Sequence, residues 1–590
     1  MSEPIQVEAG GGRSRGPKAI VIPPERAGLR IILSIVGSLI TAAVAYYIML
    51  PPLNFKSQEF YMYIGLVLAS FVVFLFLLCR ASTQPEYVPY VKQKALIPGI
   101  IIAALVLFFG IAWAISSPFF QARRYSEIMA VSEDVNFAED IKEANFSAIP
   151  RLNEEVAKAV AERTLGDLVD YVSQFIITPN DTTQINYRGK PVRVVGLGYA
   201  DVIKWLTNTK NGLPGYVIVD MANEKSEFVR LENYIQYTDT EHFGKLLKRH
   251  LRFQYPTYMF GVPNFEINDA GHPYWVTPRV DKTIGLLGGE DVIGVVLVDA
   301  VTGDCEEYTI EDARSNPALQ WIDRVYSATM LTTQYNFYGK YAGGFWNSLL
   351  GQRGVKMTTA DFSYIAKDDD VFMYTGVTSA TADNSIIGFI LANQRTKQSV
   401  FYEVKGATES SAMGAAQGLV SDYKWTATFP LLINISGQPT YFLSFVDDAK
   451  VVQGFSMVNV GQYNRIKVWG KTLNECTTLY IKALQDNGVE ITQPGPPPVN
   501  PDINPDDGTP PVNPDGTLTA TGTITDIPSA VINGNTVYYI QLDNAGPHYT
   551  LTAGQSPEIV LFSEGMAIAI TYAPAEGKII PALSASEPEA

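Results

Sequence analysis

Three cysteines and four histidines in 590 residues limit the chemistry open to this chain. Cys79 lies in an apolar run, so only Cys305 and Cys476 remain for the rest of the chain. Two thiols allow one disulfide or two isolated buried groups, and the sequence does not say whether their Cα atoms come within reach. A metal site needs clustered ligands, whereas His242, His250, His272 and His548 are scattered, so no metal ligand is assigned. No Ser or Cys nucleophile has a recognisable partner, and no His-Glu motif occurs at helical spacing. No catalytic residue and no cofactor-binding residue is therefore assigned, and no enzyme is expected.

Basic residues become scarce beyond the first fifth of the chain. Residues 1–124 carry eleven basic and five acidic groups, a net of +6, so the whole-chain charge of −16 leaves −22 for residues 125–590. An acidic surface repels phosphate backbones, which makes nucleic acid an unlikely partner.

Apart from Arg30 at the mouth of the first, charge is missing from three apolar runs, at 29–50, 61–79 and 95–115. Each has about the 20 residues that a helix needs to cross roughly 30 Å of hydrocarbon. Three transmembrane helices are expected within 29–120, behind a cytoplasmic tail at 1–28. A cleavable signal is the competing reading, but the first run is long for a signal core and its polar lead extended, so a retained helix is expected. Arg13, Arg15, Lys18, Arg26 and Arg30 precede or open the first run, and Arg80, Lys92 and Lys94 lie between the second and third. Lys56 alone lies between the first and second, while Arg123 and Arg124 follow the third. The positive-inside rule then places the amino terminus in the cytoplasm and the long remainder outside the plasma membrane.

Apolar spacing over 121–175 predicts helix, interrupted near Pro150, and this segment is expected to be a helical stalk. The ectodomain at 176–490 contains a weak repeat. Gly215-Tyr-Val-Ile-Val-Asp220, Gly294-Val-Val-Leu-Val-Asp299 and Gly388-Phe-Ile-Leu-Ala-Asn393 each run Gly, four apolar residues, then Asp or Asn. A polar turn and a second strand with aromatic content follow each, and the Asp or Asn suits the turn because its side chain bonds to backbone two residues on. Helices are expected at 241–251, 319–327 and 407–419, giving strand-turn-strand-helix units. Three more strands, at 427–435, 440–446 and 451–460, precede a helix at 473–484. The predicted architecture is a membrane-anchored α+β protein with antiparallel sheets in two or three packed lobes.

The stretch 295–308, VVLVDAVTGDCEEY, resembles the last hairpin of a PepSY-type domain. The layout as a whole is similar to an uncharacterised family of Gram-positive bacterial multi-pass membrane proteins with a large extracytoplasmic domain. That family brings no activity, but PepSY modules imply inhibition or regulation of secreted peptidases and envelope sensing.

Nine prolines between Pro494 and Pro514 mark residues 491–516 as an extended linker, and the proline-rich stretch itself reaches roughly 60 Å at about 3.1 Å per residue. Residues 517–590 read as a small β-barrel with strands at 518–524, 536–542, 549–551, 558–561 and 566–573, and Asn533-Gly534 as a hairpin turn. Its segments resemble an OB-type fold, which implies oligonucleotide or sugar binding. Tyr538 and Tyr539 offer a stacking surface, but Lys578 is the lone basic residue, and this disfavours nucleic acid.

Three further stretches have two readings each. Val194-Val-Gly-Leu-Gly-Tyr-Ala-Asp201 has part of a dinucleotide-loop pattern but lacks its third glycine, so a tight strand-to-helix turn is preferred. Asp368-Asp-Asp370 lacks the spaced oxygens of a calcium loop and reads as a hairpin turn. The aromatic residues of 335–346 suit a binding surface and core packing equally. The expected function is a membrane-anchored interaction or scaffold protein of the bacterial cell envelope, binding a protein partner. The alternatives are a PepSY-like regulator of secreted or membrane enzymes such as peptidases, and a hydrolase with an unrecognised site.

Overall fold

The computed structural model describes residues 21–489 and 517–586, except 145–148, 169, 368, 381–384, 533–534, 543–546, 553–554, 557–558, 560–561, 564–565 and 574–578. Most of the expected cytoplasmic tail, the Pro-rich linker, the Asn533-Gly534 turn, Asp368 and Lys578 lie outside the described residues, and only Ile559 of the expected strand at 558–561 is described. The chain divides into two compact units between residues 491 and 492.

Three helices long and apolar enough to cross a membrane open the first unit: α1 (Ala27–Met49), α2 (Gln58–Leu78) and α3 (Val88–Ile115). Their mean hydropathies are 2.1, 2.5 and 2.7, the last including the turn that leads into α3. Ser34 and Thr41 return their hydroxyls to the carbonyls of Arg30 and Gly37, so neither needs water. Gly37 lets α1 and α2 close, because a Cβ there would strike the Phe74 ring. α3 begins earlier than its apolar run, so Lys92 and Lys94 lie in its opening turns and not in a loop.

The continuous helical stalk expected over 121–175 is not what forms. After α4 (Pro118–Ser126) the chain becomes largely irregular, with one short helix α5 (Phe137–Asp140), until α6 (Glu154–Gly166). Its apolar residues are spent on separate cores: Phe137 and Ile149 join one, Leu152 and Val156 another. Ser132 bridges to Val400 and Glu143 to Asn434, so this segment straps distant parts of one body together.

Four successive antiparallel sheets build that body. The first holds β1 (Phe175–Tyr187), β2 (Lys190–Tyr199), β3 (Leu213–Asp220) and β4 (Ser226–Ile235), paired in that order, with α7 (Val202–Asn208) between β2 and β3. α8 (Leu247–Gln254) leads to β5 (Met259–Phe260), β6 (Asn264–Ile267), β7 (Pro273–Ile284), β8 (Gly288–Asp299) and β9 (Cys305–Thr309). Helices α9 (Ile310–Ser315) and α10 (Ala328–Tyr341) precede β10 (Lys356–Thr358), β11 (Ser363–Lys367), β12 (Asp370–Ser379), β13 (Ser385–Ile386), β14 (Gly388–Asn393) and β15 (Ser399–Tyr402). β16 (Gly406–Ala407), which pairs with β13, and α11 (Glu409–Gln417) introduce β17 (Thr426–Ala427), β18 (Leu431–Ile435), β19 (Gln438–Val446), β20 (Val452–Asn459), β21 (Lys467–Gly470) and α12 (Leu473–Asp486). The helix expected at 319–327 is absent; Pro317 and the packing of Ile322 and Val325 delay it to α10.

The last three sheets share one wiring. Two short strands pair with the same long strand, followed by a third and a fourth, as in β5 and β6 on β7, then β8, then β9. In the first sheet β1 does the work of both short strands, with a register shift between Ile177 and Thr182. Four copies, the first to fourth sheet units of the body, are therefore present, not the two or three lobes expected. The strand after the long one in each copy (β3, β8, β14 or β20) carries a glycine five residues before its end, Gly215, Gly294, Gly388 or Gly454, whose Cβ would come under 3.0 Å from a carbonyl oxygen of the paired strand. Each ends on an Asp or Asn. Asp220 Oδ1 accepts from the amides of Ala222 and Asn223, Asp299 Oδ1 from Val301 and Thr302, and Asn393 Oδ1 from Arg395 and Thr396. In the fourth copy Asn459 Oδ1 accepts from Gln462. The first three turns place Glu224, Gly303 and Lys397 at positive φ, four residues after the Asp or Asn.

Strand alternation sends the second and third sheets each into two cores. Val296 and Val298 face the first unit, while Val295 and Leu297 face the third; Ile390 and Ala392 face the second, while Phe389 and Leu391 face the fourth. Burying such a side chain stabilises by about 1.5 to 3 kcal/mol relative to exposure. The fourth unit packs back on the first: Val446 enters the core of the first sheet, and Lys450 pairs with Glu155 at 2.9 Å.

Residues 517–586 carry β22 (Leu518–Asp526), β23 (Ser529–Ile532), β24 (Asn535–Leu542), β25 (His548–Thr552), β26 (Ala567–Tyr572) and β27 (Ile579–Ser586). The strand order is β22-β26-β27-β25-β24-β23, with β24 also paired to β22 and with β25 and β27 parallel. Ile540, Leu551, Ile568 and Ile570 fill its core.

Candidate functional site

A cavity of about 370 Å³ lies where the first, third and fourth units meet. β1 and β2 contribute Gln184 and Arg193, which stand opposite each other in register, on the side of the strand pair away from Ile185 and Val192. The entry to α6 contributes Arg151 and Glu154, and Phe362, Tyr364, Phe429 and Phe442 supply aromatic walls.

Its polar groups are short of partners. Arg193 is 3% exposed, yet its guanidinium reaches only Thr182 Oγ1 at 3.4 Å and Glu154 at 3.5 Å, and its Nε has no partner. Gln184 Nε2 and Arg151 Nε are likewise buried and unpartnered, as is Nε of Arg324, which stacks over Tyr364 and donates to its hydroxyl at 2.9 Å. A buried donor without an acceptor costs about 1 to 3 kcal/mol. Burial pulls Arg193 down to about 10, with the Glu154 charge opposing and that of Arg324 adding to the fall. Burial alone would raise Glu154, but the charges of Arg193, Lys158 and Arg324 outweigh it and hold the carboxyl below its usual range. Glu154 already has its own cation, Lys158 at 2.7 Å.

Beside this cavity two fully buried carboxyl groups join three parts of the body. Glu266 accepts from the amides of Asp323 and Arg324 at 2.9 and 3.0 Å, and Asp323 accepts from the Asn186 amide at 2.6 Å. Burial pushes Glu266 up to about 7. Asp323 is raised by burial and then by the charge of Glu266.

A larger space, about 820 Å³, lies between the helices and the second unit. Three of its cations are engaged: Lys56 with Asp281, Lys282 with Glu290, and Arg252 with the carbonyls of Leu50 and Tyr258 among others. The Lys56–Asp281 and Arg252–Leu50 contacts belong to a seat that fixes the body on the helices. Leu53 N donates to Pro256 O at 2.8 Å, Ser116 Oγ accepts from the amides of Leu286 and Leu287, and Arg124 donates to Thr283 O.

The stretches singled out in the sequence fall elsewhere. Val194 to Tyr199 finish β2 and Asp201 caps α7 through the Lys204 amide, so this stretch is a strand end turning into a helix. Asp370 accepts a bidentate pair from Arg395 at 2.7 and 2.9 Å. Of the 335–346 aromatics, Tyr335 is buried in a core while Trp346 is exposed and packs with Phe119. Cys305 and Cys476 are both free, with burial pushing their thiols up to about 11 and about 12. His272 pairs with Asp299 at 2.9 Å, and that carboxylate also serves its own turn. Arg193 and Gln184 were missed, although an Arg inside the buried run Val192-Arg-Val-Val195 was a signal for them. The chain matches no family model, no curated protein and no solved structure.

Proposed function

We propose that the chain is a membrane-anchored interaction protein of the bacterial cell envelope, holding its four-unit body against the outer face of the plasma membrane. The observation that carries this reading is the polar seat. Residues from the α1–α2 connection and from the end of α3 bond to the second unit, so the body has no free tether. Phe119, Phe120, Trp346, Leu349 and Leu350 are exposed beside the end of α3, where aromatic and apolar side chains suit the membrane interface. Tyr423, Trp425 and Trp469 cluster on the fourth unit with rings 4.2 to 5.8 Å apart, the residue types that anchor protein partners. The strand pairings of 517–586, which return from β24 to β22, support an OB-type barrel carried as a second contact module.

Protease added to spheroplasts should remove the body and leave a fragment ending near residue 120, and a photocrosslinker at Tyr423 should trap one partner that is lost when Trp425 and Trp469 become Ala. A body digested only after lysis, or no adduct at 423, refutes the reading. The PepSY-like regulator remains the second reading, favoured by the fourfold recurrence of the glycine-to-Asp or glycine-to-Asn hairpin.

A further inference from the structure

We propose that the cavity between the first, third and fourth units is a binding site for a small molecule bearing a carboxylate on an aromatic body. Among the described residues, every unpartnered buried atom that belongs to a lining side chain is a donor: Arg151 Nε, Gln184 Nε2 and Arg193 Nε. A carboxylate has acceptor sites enough for all three, and guanidinium groups bind it in a planar, bidentate fashion. Glu154 does not fill this place, because it stays 3.5 Å from Arg193 and closes on Lys158 at 2.7 Å instead. Glu155 is paired with Lys450.

The walls select the rest of the ligand. Phe362, Tyr364, Phe429 and Phe442 line the same space, and about 370 Å³ lies within the range of small-ligand pockets. Aromatic rings around one charged locus favour a flat apolar body with a single acidic end. A hydrophobic isostere of Arg193 would be the economical choice if the residue were structural, since a poorly paired buried charge is destabilising. A free aromatic acid and the C-terminal carboxylate of a peptide share this chemistry.

Calorimetric titration of the full chain in detergent distinguishes them, using hydrocinnamate, acetyl-Ala-Phe, its C-terminal amide and inorganic phosphate as probes. Saturable binding is expected for a carboxylate probe, with the amide weaker by about tenfold or more. Binding of hydrocinnamate alone assigns the free acid, and binding of acetyl-Ala-Phe alone assigns the peptide terminus. Arg193→Met should abolish binding while raising the thermal midpoint of the unliganded protein. Gln184→Leu, which removes a neutral group, should keep the fold and weaken binding by about fivefold or more. No carboxylate binding, equal binding of the amide, preference for phosphate, or an unchanged affinity in Gln184→Leu would each overturn the proposal.

Discussion

At the scale of single residues, Glu266 ties the stability of the body to pH. Its folded pKa of about 7 lies above the ordinary carboxyl value, so between the two the native state holds a proton that the unfolded chain has released. The contribution is complete below about pH 4.5 and is lost as pH rises through about 7, amounting to about 3 kcal/mol. Denaturant unfolding across this window should show the decline in the wild type and a flatter profile in Glu266→Gln, whose amide needs no proton. Equal slopes would mean that the site is wetter than its burial implies. The same scale shows why the cavity was hard to read from sequence. Arg151, Gln184 and Arg193 stand in three separate segments, and only the pairing of β1 with β2 turns two of them into neighbours.

Hairpins are the elements where sequence and structure agree most closely. Three glycine-to-Asp or glycine-to-Asn strands were visible as repeats, and in all three the polar side chain caps its own turn. Replacing Asp220, Asp299 or Asn393 by Ala should cost about 0.5 to 2 kcal/mol each, read as a lowered unfolding midpoint. Asn459 should behave alike. Gly388→Ala should cost more, because its Cβ would meet the Tyr402 carbonyl, whereas Gly244→Ala, with open space around it, should be nearly silent. The fourth copy escaped notice because Ser456 interrupts its apolar run and its turn extends to Ile466. The stalk region departs from the expected helix for a different reason. Helical spacing of Ile128, Val135 and Ile141 reflects contact with two cores in succession, a tertiary demand that periodicity cannot separate from helix.

For the whole molecule, the division at 491 makes the terminal β-rich unit separable. Removing residues 492–590 should leave the unfolding midpoint of the remainder within about 1 °C, since few contacts cross such a boundary. A large drop would show that the β-rich unit props up the body. The strap between α4 and α6 is the opposite case, because it is held by residues made long after it. Ser444 donates to the Arg151 carbonyl across 293 residues of sequence, and Val400 meets Ser132. As the chain leaves the ribosome, the strap between α4 and α6 must therefore wait with its apolar side chains uncovered until the third and fourth sheets exist. Maturation of this protein is paced by its own length: the strap is made before every sheet of the body and is among the last segments to be buried.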